Sequence, residues 1–68
     1  MKQLAQIRKE KNLTQSQLAK AAGVSFRMIQ YYEQGKKDIN VASAITLYKI
    51  ATVLDCKVED LLELEQIS

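Results

Sequence analysis

Residues 26–34 concentrate side chains that can donate paired hydrogen bonds and offer apolar surface. On a helical wheel, one arc of this stretch is polar, aromatic and free of acids; its members are Phe26, Arg27, Gln30, Tyr31 and Gln34. Arg27 can donate two hydrogen bonds to guanine, and the Gln30 amide can pair with adenine. Phe26 and Tyr31 offer apolar surface to a thymine methyl group or a sugar. An ordinary solvated face does not explain two exposed aromatic residues, so the arc favours binding in the major groove.

Candidate phosphate contacts flank this arc on both sides. Contacts to phosphate oxygens fix the register of a protein on duplex DNA, whereas base edges carry the sequence. Gln15 begins the preceding predicted helix, where its side chain lies beside the helix N-terminal amides. Lys36, Lys37 and Asn40 follow the arc and would reach the opposite strand, with Gln34 at its end. The lysines have a simpler alternative role in solubility alone.

An all-α fold, a compact five-helix bundle, is predicted to position these side chains. Hydrophobic residues make up 47% of the 68 residues, proline is absent and there are two glycines, which suits packed helices joined by short turns. So short a chain is expected to form a single domain, residues 1–68. Apolar spacing predicts helices from about Lys2 to Lys11, from Thr14 to Gly23, from Ser25 to Gln34, from Val41 to Leu54 and from Val58 onward.

Capping and turn residues set the predicted helix boundaries. Thr14, with a glutamine three residues later, predicts a capping box. Ser25 and Asn40 are the predicted caps of the third and fourth helices. Gly23 and Gly35 can supply the left-handed conformation that follows a last helical turn.

Residues 15–34 have the pattern of a helix-turn-helix. Two short helices meet at about 90–120° across a tight turn when their contact is small and the turn allows a positive φ. Ala19 and Gly23 meet these two needs. The apolar positions that would lock the pair are Leu18, Ala22, Val24, Ile29 and Tyr32. A single glycine also occurs in helical hairpins that do not bind DNA. The prediction of a helix-turn-helix therefore depends on the five matched apolar positions.

The other helices supply the rest of the predicted core and one ion pair. The remaining buried positions are expected at Leu4, Ala5, Ile7, Ala44, Leu47, Ile50, Ala51, Leu54, Leu61 and Leu62, with Tyr48 and Val53 more peripheral. Cys56 is interpreted as a small core residue, because nothing nearby would activate its thiol. Arg8 follows an apolar residue and Glu33 lies on the inward arc of its helix. Since an unpaired buried carboxylate is costly, a partly buried Arg8–Glu33 pair is predicted.

The residue inventory argues against an enzyme, a metal site or a membrane protein. The chain has no histidine and one cysteine, which removes an imidazole base, a zinc cage and an internal disulfide. We therefore expect no catalysis, metal or cofactor. No apolar run approaches the roughly 20 residues that span a bilayer, and the N-terminus lacks the apolar stretch of a signal peptide, so a cytoplasmic location is expected.

Charge is unevenly distributed along the chain, although the net charge is only +2. Residues 1–54 contain nine Lys and Arg against three acids, whereas residues 55–68 contain one lysine against five acids. The basic part is a candidate polyanion surface. The alternative is that these charges only solvate helix faces.

Taken together, these residues resemble the Xre-type, or lambda/434 repressor-like, helix-turn-helix domains of phage and bacterial regulators. The resemblance covers nearly the whole chain; the segments that carry it are 7–11, 13–15, 18–19, 23–25, 29–36, 47–54 and 58–62. It implies that the chain is a transcriptional regulator, most simply a repressor. It also implies that the chain binds a two-fold operator as a homodimer, with the two recognition helices about 34 Å apart. It also implies base contacts from Ser25, Phe26, Arg27 and Tyr31, phosphate contacts from Gln15 and the loop after Gly35, and an Arg8–Glu33 pair.

The chain departs from its relatives at two C-terminal positions and in one recognition residue. Asp55 stands where relatives usually have glycine, and Lys57 where they usually have a capping serine or threonine; both changes are unfavourable locally. Phe26 is bulkier than the glutamines of well-known members, so their base preferences do not transfer.

A protein-interaction module, such as an antitoxin-like or adaptor protein with weak or no DNA binding, remains the alternative. Phe26, Tyr31, Leu64 and Ile67 would favour a protein partner. A candidate dimer surface is the apolar tail formed by Leu61, Leu62, Leu64 and Ile67. Salt distinguishes the two functions, because phosphate contacts make affinity fall steeply as salt rises whereas apolar contacts do not.

Overall fold

A computed structural model of the chain describes residues 3–63. Within this range the chain forms five α-helices and one 3₁₀ turn, Ile39–Val41. The helices are α1 (Gln3–Glu10), α2 (Gln15–Ala22), α3 (Phe26–Gln34), α4 (Ala44–Leu54) and α5 (Val58–Leu61). The predicted all-α, five-helix architecture is confirmed.

The caps and turns around α2 and α3 follow the sequence prediction. Thr14 Oγ1 accepts from the Gln17 amide at 3.0 Å, and Gln17 Oε1 accepts from the Thr14 amide at 2.9 Å, which completes the capping box. Ser25 Oγ accepts from two backbone amides in the first turn of α3. Gly23 and Gly35 end the two helices with φ of 69° and 80°, a conformation that glycine adopts without steric cost. Helices α2 and α3 therefore form a helix-turn-helix.

The start of α4 was predicted wrongly. Asn40 does not cap this helix; it lies in the 3₁₀ turn, whose cap is Asp38 through a 2.9 Å bond from the Asn40 amide to Oδ1. Ser43 caps α4 instead, its Oγ accepting from the Thr46 amide at 3.2 Å. Ala44, predicted to be buried, is exposed, because the buried residues of α4 begin three positions later, at Leu47.

The core lies between α2, α3 and α4, with α1 and α5 packed against them. Its buried hydrophobic members are Leu4, Leu18, Ala19, Ala22, Ile29, Tyr32, Ile39, Leu47, Ile50, Ala51, Leu54 and Leu61. Ala5, Ile7 and Leu62 were predicted to be buried and are only half-buried. Ile7 and Leu62 pack against the outside of this cluster. Helix α2 packs against both α3 and α4, which fixes the angle at which α3 leaves the bundle.

The junction of α4 and α5 contains both C-terminal departures from the family pattern. Asp55 ends α4 in the left-handed conformation, with φ of 54°. Lys57 precedes α5 and makes no side-chain cap; instead Asp60 Oδ2 accepts from the Lys57 amide at 3.0 Å. Of the proposed apolar tail, Leu64 and Ile67 lie outside the described residues. No helix in the part of the chain that is described is long and apolar enough to cross a membrane.

Candidate nucleic-acid interface

The two faces of α3 differ in burial. Ile29 and Tyr32 are 0% and 5% exposed and fix the helix on the core. Of the residues on the inward arc, Met28 and Glu33 are half-buried. On the outward arc Phe26, Arg27 and Gln34 are exposed, whereas Gln30 and Tyr31 are half-buried. The outward arc is therefore open to a ligand, with its two central members partly covered.

The N-terminus of α3 is held by Ser25. Its Oγ accepts from the amides of Arg27 and Met28 at 3.1 and 3.3 Å. A hydroxyl that accepts two hydrogen bonds keeps its proton for donation. Ser25 can therefore cap the helix and also donate a hydrogen bond to a bound molecule, beside the exposed rings and guanidinium of the first turn.

The basic loop after α3 is tied to the end of that helix. The backbone amides of Lys36 and Lys37 both donate to the Tyr31 carbonyl, at 2.9 and 3.2 Å. The ammonium group of Lys36 lies 5.7 Å from the centroid of the Tyr31 ring, a distance at which a cation and an aromatic face attract each other. Both lysine side chains are exposed. Their charges are thus placed next to the outward arc of α3.

Behind α3, one carboxylate joins three helices. Arg8 Nε donates to Glu33 Oε2 at 2.6 Å and its Nη2 to Oε1 at 3.0 Å, while Nη1 donates to the Leu13 carbonyl at 2.7 Å. Gln15 Nε2 also donates to Glu33 Oε1, at 2.9 Å. The side chains of Arg8 and Glu33 are only 10% and 7% exposed. The bidentate pair and the glutamine together fix α1, the start of α2 and the last turn of α3.

The network changes the acidity of its members. Burial acts to raise the pKa of Glu33, but hydrogen bonds from Arg8 and Gln15 and the charges of Arg8 and Lys9 outweigh it, so this pKa lies below its ordinary value. The hydrogen bond with Glu33 raises the pKa of Arg8 against the opposing effect of burial. Away from the network, burial is the main reason that the pKa of the Cys56 thiol is raised. The ion pair is therefore charged at neutral pH, and the thiol is protonated.

Two predicted phosphate ligands make bonds within the protein. Besides the bond from Gln15 to Glu33, Asn40 Nδ2 donates to the Glu63 carbonyl at 3.0 Å and Asn40 Oδ1 accepts from the Glu63 amide at 2.8 Å. No local sequence pattern indicates these contacts, because their partners lie 18 and 23 residues away. Each side-chain amide has a second N–H, so a phosphate contact from Gln15 or Asn40 stays a prediction.

The acids around the start of α5 were considered as metal ligands. Within residues 3–63, no group of three or more cysteine, aspartate or glutamate side chains is arranged to hold a metal ion. The exposed acids Asp55, Glu59 and Asp60 lie around the start of α5, where negative charge suits the helix dipole.

The fold and the open face of α3 define a helix-turn-helix DNA-binding domain. The family model described as helix-turn-helix matches residues 4–61, so the chain belongs to this family, in its Xre or lambda repressor-like form. Over 58 residues it is 38% identical to a protein of Archaeoglobus fulgidus named as an uncharacterized HTH-type transcriptional regulator; the match covers 85% of this chain and 78% of that relative. No solved structure matches the chain significantly.

Proposed function

We propose that this chain regulates transcription by binding duplex DNA sequence-specifically, with α3 in the major groove. The observation that carries the proposal is the two-sided character of α3. One side is anchored by Ile29 and Tyr32 in the core, and the other presents polar and aromatic groups without an acid. A B-DNA major groove admits an α-helix and offers donors, acceptors and thymine methyl groups to such a face.

Base recognition is assigned to the outward arc of α3 and its cap. Arg27 pairs with a guanine through two hydrogen bonds, and Gln30 pairs with an adenine. Phe26 and Tyr31 contact thymine methyl groups or sugars. Ser25 donates the proton that its capping role leaves available. Arg27 is exposed and can make a bidentate contact to guanine, so it is expected to contribute most to sequence preference.

Phosphate recognition is assigned to groups at the ends of the two helices. Lys36 and Lys37 extend from a loop whose backbone amides donate to the Tyr31 carbonyl, so their ammonium groups are held close to the DNA backbone beside the groove. Gln34 adds a neutral donor at the last turn of α3. Gln15 offers its second amide hydrogen together with the N-terminus of α2.

The proposed regulator is a repressor that works as a homodimer on a two-fold operator. Two copies would place equivalent α3 helices in successive major grooves, about 34 Å apart on one side of the duplex. Occupation of the DNA is sufficient for repression, so neither a catalytic step nor a cofactor is needed. Such a protein would act in the cytoplasm of a bacterial or phage-infected cell, where its DNA is found.

Selection of binding sites from random duplex DNA tests this function. The wild-type chain should enrich a short motif, and Arg27→Ala should lose the preference for guanine at one position of each half-site. Lys57→Ala is the matched control, since it removes an exposed positive charge from the acidic end of the chain; its motif should equal that of the wild type. An unenriched pool, or a motif that Arg27→Ala leaves unchanged, would contradict the proposal.

A further inference from the structure

The side-chain amide of Asn40 joins the turn after the basic loop to the segment that follows α5. Its Nδ2 donates to the Glu63 carbonyl at 3.0 Å, and its Oδ1 accepts from the Glu63 amide at 2.8 Å. Both backbone polar groups of Glu63 are thereby bonded to one side chain, which lies 23 residues earlier in the chain. We call these two hydrogen bonds the Asn40–Glu63 link.

The basic loop, residues 35–38, lies beside a small cavity. The cavity has a volume of about 170 Å³ and is lined by Tyr32, Gly35, Lys37, Asp38, Ile39 and Glu63. Glu63 is therefore close to the loop itself and not only to the turn that follows it. Atoms that border a cavity lack packing partners on that side, so the position of the loop depends on the contacts at its two ends.

The two ends of the basic loop are held by different contacts. At the α3 end, two backbone amides of the loop donate to the Tyr31 carbonyl. At the other end, Ile39 is 3% exposed and lies in the core. The carboxylate of the loop residue Asp38 accepts from the Asn40 amide at 2.9 Å. The Asn40–Glu63 link therefore continues directly into the loop and gives the turn a second fixed point besides Ile39.

We infer that Asn40 is a positioning residue for DNA binding. Its bonds to Asp38 and Glu63 hold the far end of the basic loop. They thereby keep the ammonium groups of Lys36 and Lys37 beside α3. The inference deepens the proposed function and rests on it, since the two lysines are assigned there to phosphate. It gives Asn40 an indirect role instead of the phosphate contact predicted from sequence, and it makes the segment after α5 part of the DNA-binding unit.

Amide hydrogen exchange measured by NMR without DNA tests the effect on the loop. Asn40→Ala removes both bonds of the link. Exchange of the Lys36 and Lys37 amides should then become about 2–10-fold faster, the factor that loss of one ordinary hydrogen bond produces. Because Asn40 is exposed, the amide of Ile50 in the core should change much less. Equal acceleration at Ile50 and in the loop would mean general destabilisation and would contradict a positioning role.

Fluorescence anisotropy with duplex DNA tests the consequence for binding. Asn40→Ala should weaken binding to a selected and to a scrambled duplex by the same factor, about 2–10-fold, since phosphate contacts carry no sequence information. In a chain that already contains Lys36→Ala and Lys37→Ala, the same substitution should have little further effect, because the groups that it positions are gone. A direct contact from Asn40 to phosphate would instead cost the same factor in both chains.

A proline at position 63 breaks the link without altering Asn40. Glu63→Pro removes the backbone N–H that donates to Asn40 Oδ1. Leu62 already has the extended backbone that a residue before proline prefers, with ψ of 143°. Glu63→Ala is the matched control, since both variants lack the carboxylate and only proline lacks the amide. Glu63→Pro should bind DNA about 2–10-fold more weakly than Glu63→Ala, and thermal melting checks that both variants are folded.

The outcomes separate this inference from the proposed function. Three results would each overturn the positioning role: unchanged loop exchange in Asn40→Ala, a loss of affinity that persists in full without the two lysines, or equal binding by Glu63→Pro and Glu63→Ala. Each could occur while the wild-type chain still selects a DNA motif. If the loop amides respond as expected and no DNA motif is enriched, the proposed function fails while the effect of the link on the loop stands.

Discussion

Glu33 is the residue that joins α3 to the two helices before it. It receives hydrogen bonds from Arg8 of α1 and Gln15 of α2, while the outward arc of its own helix, α3, lies on another side. The Arg8–Glu33 pair was predicted from the sequence, because an inward carboxylate needs a cation. The hydrogen bond from Gln15 to the same carboxylate was not predicted, since a polar residue at a helix N-terminus is equally typical of a phosphate contact.

Loss of Arg8 should destabilise the protein strongly. Arg8→Ala leaves Glu33 in a nearly buried site with only the Gln15 amide as partner, and we expect a loss of about 2–3 kcal/mol in the free energy of unfolding. Urea denaturation followed by circular dichroism measures this loss. Arg27→Ala is the matched control, because it removes an exposed arginine and should change stability by less than about 0.5 kcal/mol. Equal stability of the two variants would contradict a structural role for the pair.

Stability should also depend on pH through Glu33. Its pKa in the folded protein lies below the unfolded value, so its contribution is complete above the unfolded pKa of about 4.3 and is lost as the pH falls through the folded pKa. Glu33→Gln removes this contribution at every pH. The difference in unfolding free energy between wild type and Glu33→Gln should therefore shrink between pH 6 and pH 2 in urea titrations. A difference that stays constant over that range would show that the carboxylate is not stabilised by its partners.

At the scale of helices, the sequence determined some boundaries better than others. The boundaries of α2 and α3 were predicted correctly. Thr14, Ser25 and both glycines make their capping contacts within a few residues, so the local sequence was sufficient to predict where these helices begin and end. The start of α4 was predicted wrongly, because Asn40 was the predicted cap and the serine three residues later, Ser43, was not considered. The structure uses Ser43 while Asn40 bonds to the backbone of Glu63, a contact over 23 residues that no local pattern contains.

The end of α4 offers a stabilising substitution. Asp55 adopts a left-handed backbone conformation. This conformation is strained for residues with a Cβ atom and nearly free of strain for glycine. Asp55→Gly should therefore raise the free energy of unfolding by about 0.5–1 kcal/mol and the Tm by roughly 4 °C. Thermal unfolding followed by circular dichroism measures the shift. Asp55→Ala removes the same charge but keeps the Cβ atom, and it should not stabilise. If alanine stabilises as much as glycine, removal of the charge rather than the backbone conformation is the cause.

At the scale of the whole molecule, the faces separate by chemistry. The outward arc of α3 and the loop after it are basic and aromatic, the region around α5 is acidic, and Ile45 and Tyr48 of α4 are exposed hydrophobic residues. The sequence predicted the first two, because charge and helical phase are visible in composition and spacing. It did not predict that Ile45 would be exposed. The inner face of α4 was expected to begin at Ala44, whereas the buried residues of this helix begin at Leu47, and where burial begins depends on packing rather than on periodicity.

The most direct test of sequence-specific binding by α3 compares the affinities of the protein for two different duplexes. Fluorescence anisotropy gives the Kd of each variant for a selected duplex and for a scrambled duplex of the same composition, at several salt concentrations. For wild type, log affinity should fall steeply with log salt on both duplexes. Lys37→Ala should weaken binding to both duplexes by the same factor. It should also reduce the slope of log affinity against log salt by about one, as expected for the loss of one phosphate contact.

Arg27→Ala gives the decisive comparison in the same experiment. It should reduce the ratio between the two Kd values by about 5–150-fold, the range expected for loss of a bidentate contact to a base, while affinity for the scrambled duplex changes much less. Equal weakening on both duplexes would make Arg27 a phosphate ligand. A wild-type protein that binds both duplexes equally would contradict sequence reading by α3 altogether.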